Sequence, residues 1–447
     1  MDIKFSTTGI RGISNEDMTA DLALKLGKTF GTFMNGKGTV LIAQDPRTSS
    51  EMLSSAIISG LLSTGVKVVN AGLAPVPALS HVVMKDYDAG IMVTSSHNPP
   101  EYNGVKFILG DGVEISESEE KQFLELFKAE PIKAKWDSVG SLKQKDILEK
   151  YSNALIDSIH SETVKSRKFK VVVDTGNGAQ SILIPNLYRE LGCDVIELNT
   201  EPKGIFNRPS EPRPESLGEL KEKVVAEKAD FGIAFDCDGD RCIFVTEKGD
   251  VVMGDVTGSM FARELLKQNK GGKIITTVST SKIIDDVASA EGGEVIRTIV
   301  GAKYVGEALI NEKAIYGFEE NGGNIFPDIS YTREGSATAV KMLELLTKTD
   351  KTFSEVVAEF PKYYQVKLKV ECTEDKKKDI PKLKDKVDRD NVEILTQDGV
   401  KVVFEDGSVL LRASGTEAIL RVYAEANSKE KADEYAKWGE KLVKLLL

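Results

Sequence analysis

The chain has little cysteine: four residues in 447, at Cys193, Cys237, Cys242 and Cys372. None stands in a C-x-x-C pair, so neither a zinc site nor a disulfide framework is indicated. No apolar run approaches the ~18–20 residues that a membrane-spanning helix needs. The opening MDIKFSTTGIRG has no apolar core of signal-peptide length. These absences lead us to expect a cytoplasmic protein with no membrane partner. Basic charge is in deficit, 59 Lys+Arg against 70 Asp+Glu, and the net charge of -11 argues against nucleic acid as the main partner. Any phosphate site must then be a local basic cluster in an acidic protein. Proline is sparse too, 14 against 38 glycines, so tight turns fall mainly to glycine. With 41% hydrophobic and 29% charged residues the composition is that of a globular protein, too long for one ordinary core.

What is present is a repeated alternation. TVLIAQD reads as a strand, followed by a helical stretch from Ser50 to Leu62, a glycine turn and the strand VKVVNAG. FKVVVDTGNG, a helical SILIPNLYREL, Gly192 and CDVIEL repeat the pattern. So do GKIITTVSTS, a helix around Ile283–Ala290, Gly292-Gly293 and EVIRTIVG. Continuous β-branched runs suit strands buried on both faces, and their alternation with helices of ~10–13 residues predicts βαβ units and mixed, mostly parallel sheets. Such sheets carry their chemistry in loops at the strand carboxyl ends. The end of the chain differs. YYQVKLKVEC, VEILTQDGVKVVFEDGSVLLRASG and ILRVYAEA hold several strands, with hairpin signals at Asp398-Gly399 and Asp406-Gly407, and a helix follows over 430–447. The charge-dense CTEDKKKDIPKLKDKVDRD predicts a solvated helix with i,i+4 ion pairs. The expected architecture is three α/β domains, 1–150, 151–250 and 251–365, and a C-terminal α+β domain, 366–447.

Four loops concentrate residue types that chemistry needs. In VTSSHNPP an apolar strand runs into Ser95, Ser96, His97, Asn98 and a rigid Pro99-Pro100. This is either a plain turn or a presented hydroxyl, and a serine hydroxyl needs activation or a reactive acceptor. In AFDCDGDR, Asp236, Asp238 and Asp240 alternate after the strand FGIAF. Wrapped around an ion they make a compact oxygen cage; without a cation they repel one another. An EF-hand is the rival, because Glu247 stands at its twelfth position, but the sixth, which should be glycine, is Arg241, and the flanks read as strands. Few protein ligands leave positions open for a phosphate oxygen, which favours Mg2+. In YGFEENGGNIFPD, Glu319, Glu320, Asn321 and Asn324 sit among glycines, Gly322 included, and match a hydroxyl-rich ligand; alone the stretch is as readily a turn. LLRASGTEAILR offers Arg412, Ser414, Gly415 and Thr416, a guanidinium with hydroxyls and backbone N–H groups that suits phosphate, and closes on Arg421. Each loop follows a strand, and each falls in a different expected domain.

Together, in this order and over essentially the whole chain, the four loops resemble those of the α-D-phosphohexomutase superfamily, which includes phosphoglucomutases, phosphomannomutases and phosphoglucosamine mutases. The resemblance implies four domains around a central cleft and an isomerase that moves a phosphoryl group between O6 and O1 of a hexose phosphate through a 1,6-bisphosphate. It implies that Ser96 is carried as phosphoserine, primed by a hexose 1,6-bisphosphate. Ser96, Asp236, Asp238 and Asp240 would hold Mg2+. Glu319, Asn321 and Gly322 would grip the phosphosugar partner's hydroxyls, Arg412, Ser414, Gly415 and Thr416 would hold the phosphate not being transferred, and Arg421 would be a further substrate-binding residue. TTGIRG matches the family's G-x-R-G element, which brings Arg11 to the active site; Lys106 matches a lysine ten residues past the serine, and Arg241 and Lys282 fall on active-site positions. Gly323 and Ala302 stand where bacterial relatives carry histidine, so the general acid/base stays open, and His97 either assists proton transfer or orients the loop. The EENGG form resembles the archaeal branch, and Arg333-Glu334-Gly335 replaces the family's R-D-G. The N-terminal stretch leans towards glucosamine phosphate over glucose and mannose phosphates. A Mg2+-dependent sugar phosphatase and an inert sugar-phosphate sensor are the remaining alternatives, but neither needs the Ser96 loop. Oligomeric state is not legible.

Overall fold

A computed structural model describes residues 3, 5, 9–390, 392–413 and 419–446. The chain divides into two compact units, Met1–Met253 with Asn321–Glu355, and Gly254–Glu320 with Val356–Leu447. Among the described residues no helix is long and apolar enough to cross a membrane.

The first unit contains two mixed sheets. One has the strand order Ile10–Ile13, Tyr102–Leu109, Ala89–Val93, Thr39–Gln44, Lys67–Leu73, Leu142–Gln144. Pairing is antiparallel among the first three and parallel from Ala89–Val93 onward. The Ala89–Val93 strand is buried along its whole length, as small and β-branched residues of a covered sheet are. Helices Ala20–Phe33 and Ser50–Ser63 pack backbone to backbone. A Cβ on Gly27 would lie 2.3 Å from the Ile57 carbonyl oxygen, and one on Gly60 2.4 Å from that of Leu24. The i,i+4 series Leu22, Leu26, Phe30 and Leu53, Ile57, Leu61 then fill a shared core. The other sheet runs Val251–Val252, Cys242–Thr246, Phe231–Phe235, Lys170–Asp174, Asp194–Leu198, again antiparallel at one side and parallel at the other. Residues 321–355, which sequence alone assigns to the third expected domain, belong to this unit. Phe353 meets Phe231 and Phe244 edge-on, and the Tyr188 hydroxyl donates to the Ala339 carbonyl at 2.9 Å.

In the second unit Gly272–Thr277 pairs in parallel with both Gly293–Thr298 and Tyr316–Phe318. Helix Ile283–Ala290 makes the crossover, as the third copy of the repeat predicts. The C-terminal sheet is antiparallel throughout, in the order Tyr364–Glu371, Ile419–Ala426, Gly407–Ala413, Val400–Val403, Glu393–Leu395. Both expected hairpins form. Helix Lys429–Lys444 caps itself with Ser428 and buries Ala432, Tyr435, Ala436 and Leu442 in the same core.

Two local expectations fail. Residues 372–390 do not form one solvated helix: a short helix, Glu374–Lys377, gives way to a 3-10 stretch, Ile380–Lys386, that buries Ile380 and Leu383. Pro381 has no N–H to continue an α-helix, and the i,i+3 spacing of the two apolar residues suits the tighter turn. SILIPNLYREL likewise splits into a 3-10 turn, Ala179–Ile182, and a helix, Ile184–Glu190, with Pro185 accommodated in the first turn.

Candidate active site

Ser96 lies just past the carboxyl end of the buried Ala89–Val93 strand, is fully buried, and has a left-handed φ of 48°. A side chain in that conformation costs roughly 1–2 kcal/mol, so neighbours must hold it there. Arg47 does. Its Nη2 donates to the carbonyls of Ser96 at 2.8 Å and Asn98 at 2.7 Å, and its Nη1 to those of Pro99 at 2.6 Å and Tyr102 at 2.9 Å. Asp45 orients the guanidinium through Nε at 3.1 Å and accepts from Thr94 Oγ1 at 2.7 Å; Thr94 Oγ1 in turn accepts from the Ser96 N–H at 2.8 Å. The Ser210 hydroxyl donates to the Ser96 carbonyl at 3.2 Å. The peptide is thus fixed from both sides and the hydroxyl is aimed. Ser96 Oγ donates to Asp236 Oδ2 at 3.1 Å and lies 3.5 Å from His97 Nδ1.

The aspartates follow the wholly buried strand Phe231–Phe235. Gly239, at φ 72°, turns the loop where a Cβ would strike the Gln180 side chain at 2.5 Å. Asp236, Asp238 and Asp240 are all buried, and one oxygen of each can be chosen so that the three lie within 4.8 Å of one another. At that spacing each pair of charges repels by on the order of 3 kcal/mol at an effective dielectric of ~20. Lys106 answers part of this, with Nζ at 2.9 Å from Asp238 Oδ2 and 3.2 Å from Asp240 Oδ2. It reaches them from the strand Tyr102–Leu109, where it is paired with Met92. Arg333 binds Asp240 Oδ2 through Nε at 3.1 Å and Nη2 at 2.7 Å. Arg11, on the neighbouring strand, donates to Asn98 Oδ1 at 2.8 Å, and Arg241 binds Glu211 Oε1 at 3.0 Å.

The titration of these groups follows from their surroundings. Burial, with Asp238 and Asp240 added, pushes the Asp236 carboxyl well up. Burial works the same way on Asp240, but Arg333, Lys106 and Arg241 outweigh it and hold that carboxyl low. Burial opposes the Lys106 ammonium, and Asp238, Asp240 and Glu114 overcome it. Arg241, then burial, Arg11 and Arg333 drive His97 far down, so its ring is neutral. Among the described residues Asp238 Oδ1 and Asp240 Oδ1 are buried without a hydrogen-bond partner. Two orphaned carboxylate oxygens beside a third carboxylate and a buried hydroxyl form an all-oxygen donor set that fits a hard divalent cation. The surrounding Arg11, Lys106, Arg241 and Arg333 supply a positive field of the kind a phosphoryl group requires.

Asn321 and Gly322 also belong to the first unit; the Gly322 carbonyl accepts from the Cys242 N–H at 3.1 Å, one residue beyond Arg241. Lys282, Glu319, Arg412 and Arg421 lie in the second. There the turn carrying Lys282 is pinned by buried ionisable groups. Asp255 Oδ1 accepts from the Ser281 N–H at 2.8 Å, Glu425 Oε1 from the Lys282 N–H at 2.8 Å, and Lys401 Nζ donates to the Thr280 carbonyl at 2.8 Å. Burial first, then the charges of Glu320 and Glu425, lifts Asp255 to about 6. Burial and Arg297 bring Lys401 down to about 8. Glu319 is buried directly after Tyr316–Phe318. Arg412 and Arg421 stand directly opposite each other on antiparallel strands, so their side chains share a face. Facing like charges destabilise a sheet, and an anion between them reverses the sign. Ser414, Gly415 and Thr416 lie outside the described residues.

Sequence alone did not name Arg47 or give Arg333 a role. For Arg47 a signal existed: Asp45-Pro46-Arg47 follows a parallel strand, Thr39–Gln44, at its carboxyl end.

Comparison with known proteins assigns the chain to a family. Models of phosphoglucomutase/phosphomannomutase domains match in series: alpha/beta/alpha domain I over residues 2–133, domain II over 149–249, domain III over 253–364 and the C-terminal domain over 366–437. The chain belongs to the phosphoglucomutase/phosphomannomutase family. It therefore has that family's four-domain architecture of α/β domains with mixed sheets, and it is a phosphohexomutase, an isomerase that acts by intramolecular phosphoryl transfer. It is 44% identical over 446 residues to a "phosphoglucomutase/phosphomannomutase" of Thermococcus kodakarensis, covering 98% of both chains. A second protein of the same organism, named "probable phosphoglucosamine mutase", is 39% identical over 449 residues, again with 98% of both covered. Among solved structures, a phosphoglucomutase/phosphomannomutase family protein of Burkholderia thailandensis superposes with a TM-score of 0.88 at 28% identity, covering 98% of this chain and 97% of that one.

Proposed function

We propose that Ser96 carries the transferred phosphoryl group, that Ser96, Asp236, Asp238 and Asp240 hold Mg2+, and that the substrates are the 1- and 6-phosphates of glucose and mannose. The observation that carries this reading is the buried Ser96 hydroxyl, held at a left-handed φ and hydrogen-bonded to Asp236 in a ring of carboxylates and cations. Phosphoryl transfer asks of a protein mainly position and charge. When bound, Mg2+ supplies Lewis acidity that offsets charge as the P–O bond loosens. Lys106 and Arg11 stabilise the equatorial oxygens. The bond from Ser96 Oγ to phosphorus breaks while the sugar hydroxyl oxygen forms its own, and in net that hydroxyl's proton ends on Ser96 Oγ, which leaves a neutral serine and a phosphorylated sugar. The resulting 1,6-bisphosphate turns end for end, and Ser96 takes the other phosphoryl group. His97 is flanked by three guanidiniums that oppose its protonation, so we assign it to orienting the Ser96 hydroxyl rather than to holding the proton. Arg412 and Arg421 hold the distal phosphate, Lys282 assists, and Glu319, Asn321 and Gly322 hold the sugar. Domain boundaries near 150, 250 and 365 accompany this reading.

The choice of sugar rests on the higher identity to the first of the two Thermococcus kodakarensis relatives. Glucosamine phosphate is the second reading, favoured by the name of the other relative and by the N-terminal stretch. The test is to incubate the protein with glucose 1,6-bisphosphate, measure its intact mass, and assay Ser96→Ala. One stable phosphate on the wild type and no turnover in the variant are expected; near-wild-type turnover in Ser96→Ala would remove the nucleophile. Comparing kcat/KM for glucose, mannose and glucosamine 1-phosphates then separates the substrates.

A further inference from the structure

Asp398 lies in the turn that joins Glu393–Leu395 to Val400–Val403, after Gln397 and before Gly399 at φ 91°. An Asp-Gly pair there needs no explanation beyond turn chemistry. What turn chemistry does not explain is its side chain. One oxygen, Oδ2, accepts two hydrogen bonds, from Arg412 Nε at 2.7 Å and from the backbone N–H of Val300 at 3.1 Å. Val300 lies in the loop after the parallel strand Gly293–Thr298, so a single carboxylate oxygen ties that loop to an arginine of the C-terminal sheet. Both members of the ion pair are only about a fifth exposed, at 22% for Arg412 and 21% for Asp398.

The atom used on Arg412 matters. A guanidinium is a rigid plane, and a partner at Nε fixes its rotation while leaving the Nη1/Nη2 edge out of that contact. That edge is the fork that meets a phosphate through two parallel hydrogen bonds. Arg421 stands opposite Arg412 on the same face of the sheet, so an anion there meets two guanidiniums, one of them oriented by Asp398.

We propose that Asp398 is a positioning residue for the distal phosphate: it holds Arg412 through Nε and anchors it to the Val300 loop, so that the arginine offers its bidentate edge to the sugar phosphate. This rests on the reading of Arg412 as a phosphate ligand. Asp398→Asn is the discriminating variant. Asn and Asp are both turn formers, and the amide oxygen can still accept from Val300, so the turn survives and only the negative charge facing Arg412 is lost.

The experiment measures KM and kcat for glucose 1-phosphate, with a trace of glucose 1,6-bisphosphate, in wild type, Asp398→Asn, Arg412→Lys and the double variant, with thermal melts as a check on folding. We expect Asp398→Asn to melt like wild type and to raise KM by about tenfold, kcat falling less. Lysine has no Nε for Asp398 to hold, so the double variant should be no worse than Arg412→Lys alone. Additive losses would overturn the proposal, as would an unchanged KM, which leaves Asp398 a turn former, or a lowered KM, which makes it a competitor of the phosphate. If Arg412→Lys alone leaves kcat/KM untouched, the phosphate role of Arg412 fails first, and this inference with it.

Discussion

At the scale of single residues, Asp238 shows how finely the charge is balanced. Its Oδ2 takes the Lys106 ammonium at 2.9 Å, and its Oδ1 has no hydrogen-bond partner among the described residues. Asp238→Asn keeps the shape, removes one charge and sets an N–H2 where an oxygen donor is required. We expect turnover to fall by on the order of 10²–10³, with weaker Mg2+ dependence. Chelation by EDTA should abolish wild-type activity and added Mg2+ restore it; full activity in EDTA would sink the metal assignment. Ser96 and the aspartates were legible in sequence because they are reactive residue types crowded after apolar strands. Arg47 was not, because its four acceptors on the serine loop are backbone carbonyls, which leave no mark in a sequence. Arg333 was not, because its partner Asp240 lies 93 residues away.

At the scale of elements, the parallel repeats and both hairpins were legible from local period and turn residues, whereas 372–390 was misread where Pro381 breaks the helical run. Helix Gly335–Thr347 carries a feature that no pattern gives away. The residue before it, Glu334, is fully buried and accepts from the Tyr151 hydroxyl at 2.5 Å and from Ser330 Oγ at 2.7 Å. Burial outweighs those hydrogen bonds and lifts its carboxyl to about 7. The folded state therefore binds this proton more tightly than the unfolded chain, whose glutamate titrates near the ordinary ~4.3. Stability is highest below that ordinary value and is lost as pH rises through about 7, by up to about 3 kcal/mol from this group alone. Thermal melts between pH 6 and pH 8 should show wild type weakening more steeply than Glu334→Gln. Parallel pH dependence in the two proteins would mean that Glu334 is ionised in the fold.

At the scale of the molecule, the first compact unit is discontinuous, and this was the least legible feature, because local periodicity carries no record of a segment that returns. Residues 321–355 bring Arg333 to Asp240, Glu334 to Tyr151, the Ser336 hydroxyl to the Gln180 amide at 2.7 Å and Phe353 against Phe231 and Phe244. A fragment ending at residue 253 keeps every strand of the unit's two five- and six-stranded sheets but loses all of these contacts. Asp240 keeps Lys106 at 3.2 Å, so losing the charge-assisted hydrogen bonds of Arg333 costs about 1.5–3 kcal/mol. Uncovering the ring that Phe353 buries costs roughly 1.5–3 kcal/mol more. Against a total stability of about 5–15 kcal/mol, those two terms alone consume much of the margin. The fragment 1–253 should therefore lack a cooperative thermal transition and expose apolar surface, and a peptide spanning 321–355 added in trans should restore part of the transition. A sharp melt with native near-UV circular dichroism from 1–253 alone would show that the returning segment decorates a finished core instead of completing it.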